Sequence, residues 1–407
     1  MSQYRHNHYV PIWYQRRFMR LGQDRYYRLD LKPDVVAQGK VKYTRNALHH
    51  WAPDRVFAQD DLYTTQWGNI SNTEIEQFFF GRLDHEGPCA LDFFCNFTHT
   101  DFDKTAFNHL MTYMSVQKLR TPKGLAAFAA QAESTDRNAT LLLLQRMQNM
   151  YCATWTESIW QLADASDSPT KFIISDHPVT VYNRACPPLS KWCVGHNDPD
   201  IRLHATHTYF PLSLDKVLIL TNLSWARNPY QNELRARPNP KLFRTTVFNF
   251  TAIQTGRKLS EDEVLQINYI TKRRAFRYIA AADKEWLYPE RRVSTDHWKK
   301  LGEGYLLMPE PRLIVMGGEI LIGYNSGRGD AFSEYGHKPW QSGYKDTDRE
   351  QRESAALYRF QAEWAAVHGP KYVANNCDFG SFRLREDSPE MTEHRKELLR
   401  KYRRNKR

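Results

Sequence analysis

The 407-residue chain has no apolar run approaching the ~18 to 20 residues that a membrane-spanning helix needs. Its first residues are histidines, tyrosines and arginines where a secretion signal would place an apolar stretch. A cytoplasmic location and no membrane partner are therefore expected. Cysteine is scarce, with six residues at positions 89, 95, 152, 186, 193 and 377. A chain of this length needs no disulfide staples, and these thiols read as reduced packing residues. The spacing of Cys186, Cys193 and His196 departs from that of a zinc knuckle. Internal repeats and low-complexity blocks are missing, as are GxxxxGK[ST], HExxH, GxSxG and a GxGxxG after a strand. P-loop NTPases, dinucleotide enzymes and ordinary hydrolases are disfavoured accordingly.

What is present is a normal core composition, 41% apolar with 13% aromatic residues, which argues against disorder. The net charge of +11 sits at the two ends. Residues 1–45 carry ten Lys/Arg against three Asp, and 395–407 carry eight against Glu397, leaving the body slightly acidic. Basic ends of this kind can grip phosphates through counterion release, or can simply be solvated.

The pattern predicts an α+β fold, a mainly helical N-terminal part packed on a mixed, largely antiparallel sheet, followed by a C-terminal extension. Residues 23–32 read as a strand, and 70–84 as a helix start with Ser71 or Asn72 as N-cap and Glu74 in its first turn. A helix over 103–121 stops before Pro122, which begins the next one. Residues 138–165 read as the central core helix. Short strands follow at 170–183, broken by Asp-His-Pro, and at 207–222 around Ser-Leu-Asp. A helix over 259–287 opens on a capping box, Ser260 with Glu263. Beyond 290 come a hairpin around Gly317-Gly318 and a helix closed by Gly369. The expected division is 1–288, an extension over 289–394 and a basic tail over 395–407.

Several motifs recur in a recognisable order: HYVPIWYQRRF (8–18), VQKLRTP (116–122), FIISDHPV (172–179), FPLSLDKVL (210–218) and QINYITKRRAFRYI (266–279). Together they resemble the bacterial domain-of-unknown-function 4238 family, over about residues 6–285. That resemblance implies a prokaryotic or phage-related intracellular protein without an assigned activity. Its association with accessory and defence-type genes points towards nucleic acid as a target.

The candidate site residues follow from local chemistry. Asp176 stands just past the buried run Phe172–Ile174, where a rigid strand can aim a loop carboxylate, as a general base or a metal ligand. The same Ser175-Asp176-His177-Pro178 also reads as a turn that satisfies its own backbone. His8 can act on a phosphate or a ribose hydroxyl, or cap a buried carbonyl. Glu74 is either an acidic partner for them or a helix N-terminal charge. Gln117 and Arg120 share a helical face, where Arg120 can clamp an anion or form a buried tie. Asn268, a poor helix former in mid-helix, implies a specific hydrogen bond to the Ser-Asp-x-Pro loop or to a ligand. Arg273 makes its helix side basic. Tyr14 and Phe18, four apart, read as a buried stripe rather than a base-stacking platform.

These residues lead to three expectations. The first is a nuclease of a prokaryotic defence or toxin-like setting, using His8, Asp176 and Glu74 with Mg or Mn, and holding DNA or RNA through its basic ends. Gln117, Arg120, Ser175, Asn268 and Arg273 would bind the ligand. The second is a non-catalytic sensor that binds nucleic acid or a partner, and the third an enzyme acting on a nucleotide or small phosphorylated ligand.

Overall fold

The segment VQKLRTPKG sets the centre of the molecule in the computed structural model. This structure describes residues 6–38, 41–193, 195–231, 233–236, 248–304, 306–314, 319–323, 326–333 and 337–369. The helix Lys104–Arg120 opens on Asp103, whose Oδ1 accepts from the Thr105 and Ala106 N–H groups at 2.8 and 3.0 Å. It threads the main core, burying Leu110, Met111, Met114, Val116 and Leu119. Each such side chain contributes roughly 1.5–3 kcal/mol of burial. Thr121 adopts extended backbone before the proline and ends this helix. Its hydroxyl then caps the next helix, Pro122–Gln131, by accepting from Gly124 N at 3.1 Å. At that corner a Cβ on Gly124 would lie 2.0 Å from the Lys118 carbonyl oxygen, so only glycine allows the two helices this approach.

Two sheets flank the helices. One runs in the order Thr180–Asn183, Thr206–Pro211, Lys216–Thr221, Ile159–Asp164, Gln254–Lys258; all neighbours are antiparallel except the last pair. The other is antiparallel throughout, in the order Ile174–Ser175, Tyr278–Ala281, Tyr26–Asp30, Leu48–Trp51. The Ser175-Asp176-His177-Pro178 motif is the crossing between them, since the strand before it belongs to one sheet and the strand after it to the other.

The fold is α+β with mostly antiparallel sheets, but several elements differ from expectation. The N-terminal stretch is strand-rich: among the described residues before 73, helical turns occur only at Ile12–Arg16 and Pro53–Arg55. Residues Ile70–Asn72 form a short strand, and the helix begins with a π-helical segment, Ile75–Phe80, before Gly81–Cys95. Asn72 still caps it locally, accepting from Glu74 N at 2.7 Å. The expected central helix over 138–165 is instead the helix Arg137–Arg146, the short helix Cys152–Thr156 and the strand Ile159–Asp164. Apolar composition does not separate a buried strand from a buried helix, and pairing on both edges decided it here. The capping box of Ser260 and Glu263 forms, but the helix stops at Arg274 rather than near 287. Residues 319–323 pair with 329–333, so the hairpin connection carries Gly327 at φ +77°. Gly317-Gly318 and the basic tail lie outside the described residues. The helix Thr347–His368 ends at Gly369, as read from sequence. Part of the chain beyond 290 enters the main core through Trp298, Leu301, Leu306 and Leu307.

Candidate functional site

The expected site residues fall into separate neighbourhoods. Asp176 is buried and its carboxylate is fully engaged: Oδ1 accepts from Phe276 N at 2.9 Å, and Oδ2 from Arg277 N and Tyr278 N at 2.6 and 2.8 Å. Burial pushes its pKa up, against the pull of those three donors. Those N–H groups follow the last turn of the helix Glu261–Arg274, and the carboxylate satisfies them where the chain passes from helix to the strand Tyr278–Ala281. Ser175 Oγ accepts from His177 N at 3.1 Å. Asn268 bridges the entry to the motif, accepting from Ile173 N and donating to the Lys171 carbonyl. These three residues build the crossing between the sheets.

Gln117 and Arg120 form a second group. Gln117 donates to the Tyr9 carbonyl at 2.8 Å, and Arg120 donates to Gln117 and to both oxygens of Asp84 at 2.8 and 3.2 Å. They tie the HxVP opening to two helices. His8 Nε2 lies 2.9 Å from the Asp54 carbonyl oxygen, and burial lowers its pKa. Glu74 is exposed and lines a shallow depression with Trp67, Phe78 and Arg82. Among the described residues, His8, Glu74 and Asp176 share no hydrogen bond or ion pair. Arg273 is exposed, and its carbonyl accepts from Asn197 Nδ2 at 2.9 Å. Of the opening arginines, Arg17 is engaged by Asp92 and the Leu212 carbonyl, and Arg20 by Asp283 and the Trp286 ring. Tyr14 and Phe18 are buried, 5.1 Å apart.

A different constellation converges. The corner at Thr121–Pro122 brings Lys118, in the last turn of one helix, beside Lys123, in the first turn of the next. Between them stands one carboxylate, Asp198: Lys118 Nζ is 2.8 Å from Oδ2 and Lys123 Nζ 2.6 Å from Oδ1. His177, from the sheet crossing, places Nε2 3.1 Å from Asp198 Oδ2 and Nδ1 2.7 Å from the Thr121 hydroxyl. Lys118 Nζ lies 3.2 Å from the same Nε2, so that nitrogen stands between an ammonium donor and a carboxylate acceptor. Burial, with the charges of both lysines, pushes its pKa down to about 3. Burial opposes ionisation of Asp198, but the two ammonium groups outweigh it and hold its carboxyl well below the usual range. Burial lowers the pKa of Lys123, Asp198 partly restores it, and Lys118 and Arg274 lower it again.

Arg274 adds a further cation beneath the cluster. It is buried, and its hydrogen bonds go to the Cys186 and Asn197 carbonyls, the Asn197 side-chain oxygen and the Cys193 sulfur. Its own carbonyl accepts from Lys123 Nζ at 2.7 Å. Lys118, Lys123, His177 and Asp198 line a cleft of about 660 Å³ whose walls include Tyr151 and Trp192. At the rim Asp200 and Arg202 neutralise one another, 2.6 Å apart. Thr121 does not line the cleft and its hydroxyl is buried, so the Thr121–His177–Asp198 chain orients the imidazole rather than supplying a nucleophile. Among the described residues no group of three or more His, Cys, Asp or Glu is arranged to hold a metal ion.

The profile of the family described as "Protein of unknown function (DUF4238)" matches residues 6–285. The chain belongs to this family. No curated protein and no solved structure matches it. The matched range of this DUF4238 domain includes both the sheet crossing and the helix corner.

Lys118, Lys123, His177 and Asp198 were not selected from sequence, where no single pattern joins them. Lys118 sits between Gln117 and Arg120, and at 100° per residue it faces away from both. His177 lies inside the Ser175-Asp176-His177-Pro178 turn. Asp198 lies in a loop, NDPD, where sequence alone offers only turn chemistry.

Proposed function

We propose that the protein recognises a nucleotide or similarly sized phosphorylated ligand in the cleft at the Lys118–Lys123 corner. The observation that carries this reading is the charge count at the cleft floor. Two ammonium groups, Lys118 and Lys123, face a single carboxylate, Asp198, while the adjacent His177 is neutral. An uncompensated cation in a desolvated pocket is costly, and an anion that completes the set recovers that cost as binding energy. Tyr151 and Trp192 offer ring faces for the remainder of the ligand. The volume falls within the ~300–1,000 Å³ of ordinary small-molecule sites.

Strand cleavage by a metal-dependent centre on His8, Asp176 and Glu74 draws less support, because these residues have separate partners and Asp176 has its oxygens committed to backbone donors. Calorimetric titration of the purified chain with AMP, ADP, adenosine and inorganic phosphate, at low and high salt, tests the proposal. AMP and ADP should bind at least about ten-fold more tightly than adenosine, the gain of one or more charge-assisted hydrogen bonds. That preference should weaken with salt. Equal binding of AMP and adenosine, or none of either, contradicts it. Incubation with DNA and RNA oligonucleotides, with and without Mg²⁺ or Mn²⁺, separates the nuclease reading: cleavage that is lost in Asp176→Asn and retained in Lys118→Met would favour that reading over this one.

A further inference from the structure

A second cavity, of about 350 Å³, lies on the outer strand pair of the larger sheet. Tyr182 and His207 are directly opposed there, one on Thr180–Asn183 and the other on Thr206–Pro211. Their rings lie 6.1 Å apart, nearly parallel. Trp225 meets His207 edge-on at 4.5 Å and Trp298 packs against Tyr182 at 5.3 Å. His204, Gln231 and Leu234 complete its lining. Its backbone frame is fixed: His204 N donates to the Arg235 carbonyl at 3.0 Å, and Asn183 Nδ2 donates to the His204 carbonyl at 2.8 Å. Ala205, next in sequence, holds φ at +63°, a left-handed conformation that a non-glycine residue adopts at a cost.

Inside this frame stand polar groups short of partners. Among the described residues the Tyr182 hydroxyl has no hydrogen-bond partner, and the His204 ring has only the Gln231 backbone near it, although the two residues are only 1% and 3% exposed. Leaving such groups unmatched is expensive, and native interiors rarely do so. Burial keeps both imidazoles neutral, His204 at about 4, only partly offset by the Gln231 backbone, and His207 at about 3. The interior therefore presents donors and acceptors, flat aromatic walls and no charge; Arg184 and Lys299 are exposed and stand at the rim.

We infer that this cavity is a binding site for a small neutral planar heterocycle of the nucleobase type, held between the aromatic walls by hydrogen bonds to the Tyr182 hydroxyl and the His204 ring. A planar ring fits the Tyr182, His207 and Trp225 faces. A ligand edge carrying both a donor and an acceptor matches a hydroxyl and a neutral imidazole, which each can play either part. The site is separate from the cleft proposed above and does not depend on it.

The test is calorimetric titration of the full chain with adenine, cytosine and uracil, with toluene as the apolar control. Tyr182→Phe keeps the ring packing and removes only the hydroxyl; His204→Phe keeps a ring and removes the nitrogens. At least one base should bind, and each substitution should weaken it by about 3- to 10-fold, the loss of one hydrogen bond. Toluene should bind more weakly than that base. Lys118→Met, in the other cleft, should leave base affinity unchanged. The inference is overturned if no base binds to folded protein, if toluene binds as tightly, or if the two ring variants leave affinity intact. Loss of base binding in Lys118→Met alone would assign the heterocycle to the charged cleft and overturn it equally.

Discussion

Replacing Asp176 with asparagine separates a structural role from a chemical one. The carboxylate accepts from three consecutive backbone N–H groups at 2.6–2.9 Å. An asparagine oxygen can take one or two of them, while its NH₂ faces a third donor. A buried donor left unmatched costs ~1–3 kcal/mol, and hydrogen bonds to a charged acceptor are worth ~1.5–3 kcal/mol each. Against that, burial already raises the carboxyl pKa, so part of the charge's value is offset by desolvation. The expected net loss is about 2–4 kcal/mol, read as a lower urea midpoint with an unchanged slope. Binding of ADP to the folded fraction should stay within about two-fold, a change too small to correspond to a lost hydrogen bond. An Asp176→Asn protein of wild-type stability that has lost ligand binding or catalysis would refute this assignment and restore Asp176 to the reacting centre.

Three further outcomes follow from the geometry. Gly124→Ala should lower the thermal midpoint by several degrees and weaken ADP binding, because its Cβ would meet the Lys118 carbonyl and push the two lysines apart; unchanged stability would show that the corner relaxes freely. Burial raises the Glu76 pKa from 4.5 to about 7, against the attraction of Arg120. The folded state thus holds this proton more tightly than the unfolded chain, and stability is lost as pH rises from about 4.5 through 7. Glu76→Gln should therefore stabilise the protein more at pH 8 than at pH 5, and a gain independent of pH would contradict the shift. Ser260→Ala removes one half of an intact capping box and should cost about 1 kcal/mol in urea unfolding, with no effect on either cavity.

Local signals with a clear mechanism were legible in the sequence. The Thr121-Pro122 break, the Ser260 capping box and the Gly369 stop all stand where their chemistry requires. Tertiary pairing was not legible. Residues 159–164 look helical in composition but are clamped between two strands, and Asp176 accepts from a backbone N–H one hundred residues downstream. The same limit governed the site. Gln117, Arg120 and Asn268 read as ligand-binding residues, with a buried tie or loop hydrogen bond as the alternative for Arg120 and Asn268, and the partners they have, Tyr9, Asp84 and Lys171, are distant in sequence. Lys118 and Asp198 meet across eighty residues, and neither sits in a pattern that announces the other.

The central claim is that cations gathered around one carboxylate make an anion site. It is tested most directly by the ADP affinity of Lys118→Met against wild type, at matched folded fraction. Asp198 keeps Lys123 as a partner in that variant. The account predicts a loss of about 10- to 100-fold, the worth of one charge-assisted contact. Wild-type affinity in Lys118→Met, or tighter binding, would contradict it.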